Sequence, residues 1–278
     1  MIKRRLLEFG VICLVLTWVP WGVLGVLGVN LDEGAGSLVF ALAASGPSLA
    51  ALVMWLRYRE RRRVVRWTPV WPVAAVGLGA VAPLAASALM GDLPALPDHA
   101  ASVVSGAGGV LGAAAYTFLA GPVAEEFGWR GYVQPRLRAY FGPLGTTVIL
   151  GAAWGVWHLP LFFTEWGGWP HVSWVSPVEF VACCVPLSLV MTWVFNRTRE
   201  SLPLVMLLHA SINTTYSLVW PEVFPTLDPT RATLHAQLIA GTAVALLLIV
   251  ATRGRLGLRT APPATVVDHV RPVGALSR

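Results

Sequence analysis

The chain has 278 residues, of which 56% are hydrophobic and only 12% charged, and its mean hydropathy is +0.66. An ordinary soluble chain carries about 25% charged residues. This composition therefore excludes a soluble enzyme, a disordered chain and a disulfide-stapled secreted domain. The net charge of +6 is set in short basic blocks between apolar runs, a pattern that orients a membrane protein rather than binding nucleic acid.

A spanning helix needs about 20 mostly apolar residues. Taken in chain order, such runs lie at 10–29, 37–56, 70–90, 104–123, 144–163, 178–195, 202–220 and 236–252. They lack the period-two alternation of barrel strands. The fold class expected is all-α: a polytopic membrane protein with about eight transmembrane helices. Lys3, Arg4 and Arg5 before the first run resemble the start of a signal peptide, but Glu8 and the absence of a small-x-small cleavage site make the run an uncleaved anchor. Residues 57–66 hold a block of arginines that reads as a leaflet-facing anchor. Eight spans place 19 of the 20 basic residues on one side, with Arg231 alone opposite, whereas Asp32, Glu33, Asp92, Asp98, Glu165, Glu222 and Asp228 fall on the other. The expectation is a multi-pass protein of the cell membrane with both termini cytoplasmic. The organisation reads as N-terminal helices and a basic loop over 1–100, a catalytic core over 101–257 and a disordered tail over 258–278.

Cys13, Cys183 and Cys184 lie inside apolar runs and read as small buried side chains. Trp166, Trp169 and Trp174 read as an interfacial belt. His99, His171, His235 and His269 carry no assigned role.

Charge at membrane depth costs at least about 2.5–3.5 kcal/mol and marks function by default. Three places stand out. In Ala124-Glu125-Glu126-Phe127-Gly128-Trp129-Arg130, Glu126 and Arg130 are spaced i,i+4, acid before base, which favours an ion pair and leaves Glu125 for chemistry. In Trp154-Gly155-Val156-Trp157-His158, a histidine sits among apolar neighbours. In His209-Ala210-Ser211-Ile212-Asn213, His209 and Asn213 share one helix face. At 1.5 Å per residue, His209 lies about 13 Å in from Glu200, His158 about 21 Å in from Leu144, and Glu125 about 16–20 Å in if its helix runs on to Arg136 and Arg138, kinked near Pro122. All three then meet at a similar depth.

A carboxylate in a partly dry pocket serves as a general base. A histidine beside it shares its water, and a second histidine with an asparagine amide stabilises an oxyanion. Glu125, His158 and His209 also make a His2Glu set able to hold Zn2+ or another divalent metal. Spacing leaves metal-bound and metal-free water both open. H-E-x-x-H, G-x-S-x-G and Walker patterns are all missing from the sequence.

Glu125-Glu126-x-x-x-Arg130, an aromatic-x-x-x-His ending at His158, and His209-x-x-x-Asn213, in this order on a multi-span chain, resemble the CPBP family of CAAX-prenyl-protease and bacteriocin-processing (Abi) intramembrane proteases. The resemblance covers residues 121–213, and Gly131 also fits it. Trp154 stands where the family pattern usually has Phe. The resemblance implies an eight-helix membrane fold and an endopeptidase acting on a membrane-associated protein or peptide. It implies Glu125 as base or ligand supported by Glu126 and Arg130, His158 with Glu125 on the water or metal, and His209 with Asn213 on the oxyanion or metal. The family is commonly described as metalloprotease, and a metal-free glutamate mechanism is also argued for it. A single Lys and abundant Arg, Ala, Val and Gly look bacterial, which points away from a prenylated substrate. Two other readings stay open: a carrier using the same groups as a proton relay, and a non-catalytic immunity or scaffold member of the fold.

Overall fold

The computed structural model describes residues 2–31, 34–60, 112, 115, 118–215 and 229–258. All regular structure among them is helical. The helices are α1 (Ile2–Leu27), α2 (Gly34–Ala44), α3 (Gly46–Arg57), α4 (Gln134–Trp157), α5 (Val175–Arg197), α6 (Leu202–Thr214) and α7 (Pro229–Thr252). Between α3 and α4 runs an acidic segment in which π-helical turns, Leu119–Val123 and Phe127–Val133, flank a short α-helical piece, Ala124–Glu126.

Four helices are long and apolar enough to cross a bilayer among the described residues, or five if the bent pair α2–α3 is one span. A multi-pass membrane fold stands on these; the count of eight does not. The expected run at 70–90, most of 104–123, the end of 202–220 and the tail after residue 258 lie outside the described residues. The expected runs ending at 123 and starting at 144 belong to one continuous helical path, Leu119–Phe163. That path turns at Gly142, whose φ of 64° and ψ of −176° are reached readily only by glycine, and Pro143 starts the next limb.

Proline also explains the 47° bend between α2 and α3. Pro47 has no N–H to donate to the carbonyl of Ala43, four residues back. Thr17 Oγ1 on α1 donates to that carbonyl instead, at 3.0 Å. The helices touch closely here: a Cβ on Gly46 would lie 2.0 Å from Thr17 Oγ1. On the other side of the bend, a Cβ on Gly128 would lie 2.5 Å from Pro47 backbone, so the acidic segment nests against the kink. Ser48 Oγ then donates to the Val123 carbonyl at 2.8 Å, two residues ahead of Glu125.

Helix α4 packs against α5 through Gly151 and Gly155, a small-xxx-small seam. A Cβ at either position would come within 2.7 Å of a Cα on α5, that of Val185 or Val181. Helix α1 closes the other side. Trp21 is fully buried and lies 4.9 Å from Trp157 between ring centroids, and the Trp18 indole donates to the Trp157 carbonyl at 2.9 Å. That carbonyl belongs to the last turn of α4, where helical donors run out.

Several of the basic residues pair with carboxylates from other segments. Arg5 and Arg136 both reach Glu60, and Arg138 reaches Glu200 at 2.7 Å. Arg4 and the Tyr58 hydroxyl donate to Glu8 at 2.9 and 2.6 Å. This layer ties α1, α3, α4 and the turn after α5 together. The three cysteines are free and buried.

Candidate active site

Glu125 and Glu126 sit where the helix switches between π- and α-helical hydrogen bonding, an irregularity found mostly at functional positions. The wide turns, together with Pro122, carry the helix past the expected kink and continue it toward Arg136. The continuation expected from the sequence is therefore present. Both carboxylates are buried, Glu125 at 5% exposure and Glu126 at 0%.

Glu126 Oε1 accepts two bonds. One comes from Arg130 at 3.1 Å and the other from His209 Nδ1 at 2.7 Å. Arg130 is also at 0% exposure, and its second nitrogen reaches Met191 Sδ at 3.2 Å and Ser188 Oγ at 3.5 Å on α5. Glu126 thus joins the acidic segment to α6, while Arg130 joins it to α5.

Glu125 has a different partner. Its Oε2 accepts from the Trp154 indole nitrogen at 2.5 Å. The same indole is the centre of the site. Its ring lies 5.4 Å from the His209 ring and 5.9 Å from the His158 ring, both edge-on, and the Arg130 guanidinium carbon stands 4.8 Å from it. One side chain on α4 therefore contacts groups from the acidic segment, α4 and α6. This tryptophan was read from the sequence only as an aromatic variant. What that reading leaves out is the indole N–H, which here finds an acceptor in Glu125.

His158 ends α4. Its Nδ1 lies 2.9 Å from the Trp154 carbonyl, which can only accept, so Nδ1 carries the proton and neutral Nε2 keeps a lone pair. Trp157, Phe180, Trp166 and Trp21 surround the ring at centroid distances of 4.5 to 6.5 Å. Trp166, expected in an interfacial belt, stacks on His158 from outside. Trp166, Trp169 and Trp174 are all exposed. His235 pairs with Glu179 at 3.0 Å.

Asn213 faces the start of the acidic segment. A Cβ on Gly121 would lie 2.6 Å from Asn213 Nδ2 and 3.8 Å from His209 Nε2. The two nitrogens thus flank one point beside Gly121, and a side chain there would push the Asn213 amide out of this place. Glu125, Glu126, Arg130, His158, His209 and Asn213 are all brought into one neighbourhood.

Their donors do not gather as a metal set. Among the described residues, no three His, Cys, Asp or Glu side chains are grouped to hold a metal ion. Glu125 is turned to Trp154 and His209 to Glu126. The ligand set Glu125, His158 and His209 does not fit a metal ion in this arrangement.

Two comparisons with known proteins bear on the segment that carries these residues. Residues 107–215 match the family model described as type II CAAX prenyl endopeptidase Rce1-like, a stretch that contains all six site residues. The chain is also similar to "CAAX prenyl protease 2" of Methanococcus maripaludis, with 27% identity over 99 residues. That match covers 34% of this chain and 36% of the relative. Both findings agree with the resemblance to the CPBP family that the motifs carry, over that segment of the chain.

Proposed function

We propose that the chain is an intramembrane endopeptidase that hydrolyses a peptide bond in a membrane-associated protein or peptide. The observation that supports it best is the convergence of Glu125, His158 and His209 on the Trp154 ring.

The chemistry follows from the free positions. Trp154 holds Glu125 Oε2, and Oε1 takes a proton from water. Neutral His158 Nε2 accepts the other water hydrogen and aims the oxygen. The hydroxide attacks the scissile carbonyl carbon, and the carbonyl oxygen becomes an oxyanion. As an imidazolium, His209 donates to it from Nε2 while Nδ1 stays on Glu126. Asn213 Nδ2 supplies the second donor. Glu125 then passes its proton to the leaving amine nitrogen as the C–N bond breaks. Arg130 balances the Glu126 charge, so Glu126 orients His209 without competing for the water's proton.

The test uses purified full-length protein in detergent with an unbiased peptide library read by mass spectrometry. Glu125→Gln is expected to abolish cleavage while leaving the fold intact. Full cleavage by Glu125→Gln would refute the base assignment. Solute uptake into liposomes with no cleaved peptide would favour the carrier.

A further inference from the structure

Glu125 is a buried carboxylate on an irregular helical turn, and such a side chain has several rotamers open to it. We infer that Trp154 is the positioning residue that selects one of them, by donating its indole N–H to Glu125 Oε2. This inference rests on the proposed role of Glu125 as base.

The geometry carries it. The indole nitrogen stands 2.5 Å from Oε2, and the tryptophan is 5% exposed. The ring cannot swing away. The Arg130 guanidinium stands over it, and the His209 and His158 rings meet it edge-on at centroid distances of 5.4 and 5.9 Å. Its backbone is pinned as well. Gly155, the next residue, and Gly151 bring α4 into contact with α5, which fixes where the Trp154 Cα sits. The donor is thus packed at both ends. A hydrogen bond to a charged acceptor is about twice as strong as a neutral one, so it can overcome the carboxylate's other rotamers. With Oε2 engaged, Oε1 is the oxygen aimed at water. A phenylalanine at 154 fills nearly the same space and packs on the same rings but offers no proton. It separates positioning from packing.

Trp154→Phe is expected to lower kcat by about 10–100-fold with KM little changed, a loss measured on the folded protein beside the fall in unfolding temperature that comes from leaving Glu125 Oε2 without its donor. Packing alone would move the unfolding temperature and leave the kcat of the folded fraction as it was. Indole proton–nitrogen spectra of the uniformly labelled protein give a reading that needs no activity. Glu125→Ala should move one indole proton strongly upfield, at a signal that Trp154→Phe removes. Wild-type kcat in folded Trp154→Phe, with Glu125→Gln inactive, overturns the positioning role and leaves the base reading standing. Full activity in Glu125→Gln overturns the base reading and the role of Trp154 with it. If Trp154→Phe does not fold, the Glu125→Ala spectrum decides, and unmoved indole signals refute the bond.

Discussion

The Glu126–Arg130 pair makes a demanding test because both side chains are at 0% exposure. Arg130→Met keeps length and bulk but removes the guanidinium paired with the buried Glu126 carboxylate, leaving it with His209 alone. Breaking one side of a buried pair costs about 3–5 kcal/mol. Spread over the unfolding entropy of a chain of this size, that is a fall of about 5–9 °C in the unfolding midpoint. Glu126→Gln should cost a similar amount by stranding the guanidinium. The double variant Glu126→Gln, Arg130→Met behaves differently. Both charges leave together, and the glutamine oxygen still accepts from His209 Nδ1. It should recover most of the loss, giving a coupling of about 3 kcal/mol between the two positions. The assay is thermal unfolding in one detergent, followed by tryptophan fluorescence for all four proteins at a single scan rate. Additive losses in the double variant would refute the pairing. So would an Arg130→Met protein that unfolds at the wild-type temperature.

Other outcomes follow from the same contacts. Gly121→Ala should lower kcat well beyond any change in stability, because its Cβ would lie 2.6 Å from Asn213 Nδ2; kinetics alongside thermal unfolding separate the two. Gly155→Leu should part α4 from α5 and destabilise by about 1–3 kcal/mol or more, read as a lower unfolding midpoint. Thr17→Val should cost about 1–2 kcal/mol by leaving the Ala43 carbonyl without a donor at the α2–α3 bend, measured by thermal unfolding against wild type. Prolonged treatment with a strong chelator should leave peptide cleavage unchanged if Glu125 activates water unaided; loss of cleavage restored by zinc would overturn that mechanism.

Several parts of this architecture were legible in the residues. Long apolar runs placed α1, α5 and α7, since hydrophobic length depends on composition alone. The i,i+4 spacings of Glu126 with Arg130 and of His209 with Asn213 hold because both lie within single helical stretches. What escaped depends on contacts between distant segments. The link from His209 to Glu126 crosses 83 residues, and no local spacing announces it. Trp154 was read by its ring class, whereas its contribution lies in the N–H that reaches Glu125. The bend at Pro47 was hidden because a run of apolar residues reads as continuous through it. The close seam at Gly151 and Gly155 was written in the sequence as a four-residue repeat of glycines, a signal that hydropathy does not weigh.

Glu126 receives its two donors from very different distances along the chain, four residues for Arg130 and 83 for His209. During synthesis from the N-terminus, the arginine leaves the ribosome almost together with the glutamate, long before α6 exists. The carboxylate therefore enters the lipid already accompanied by a cation and need not wait for the finished bundle. When α6 arrives, its histidine finds an acceptor held in place, so the last major piece of the site docks onto a seat prepared during translation.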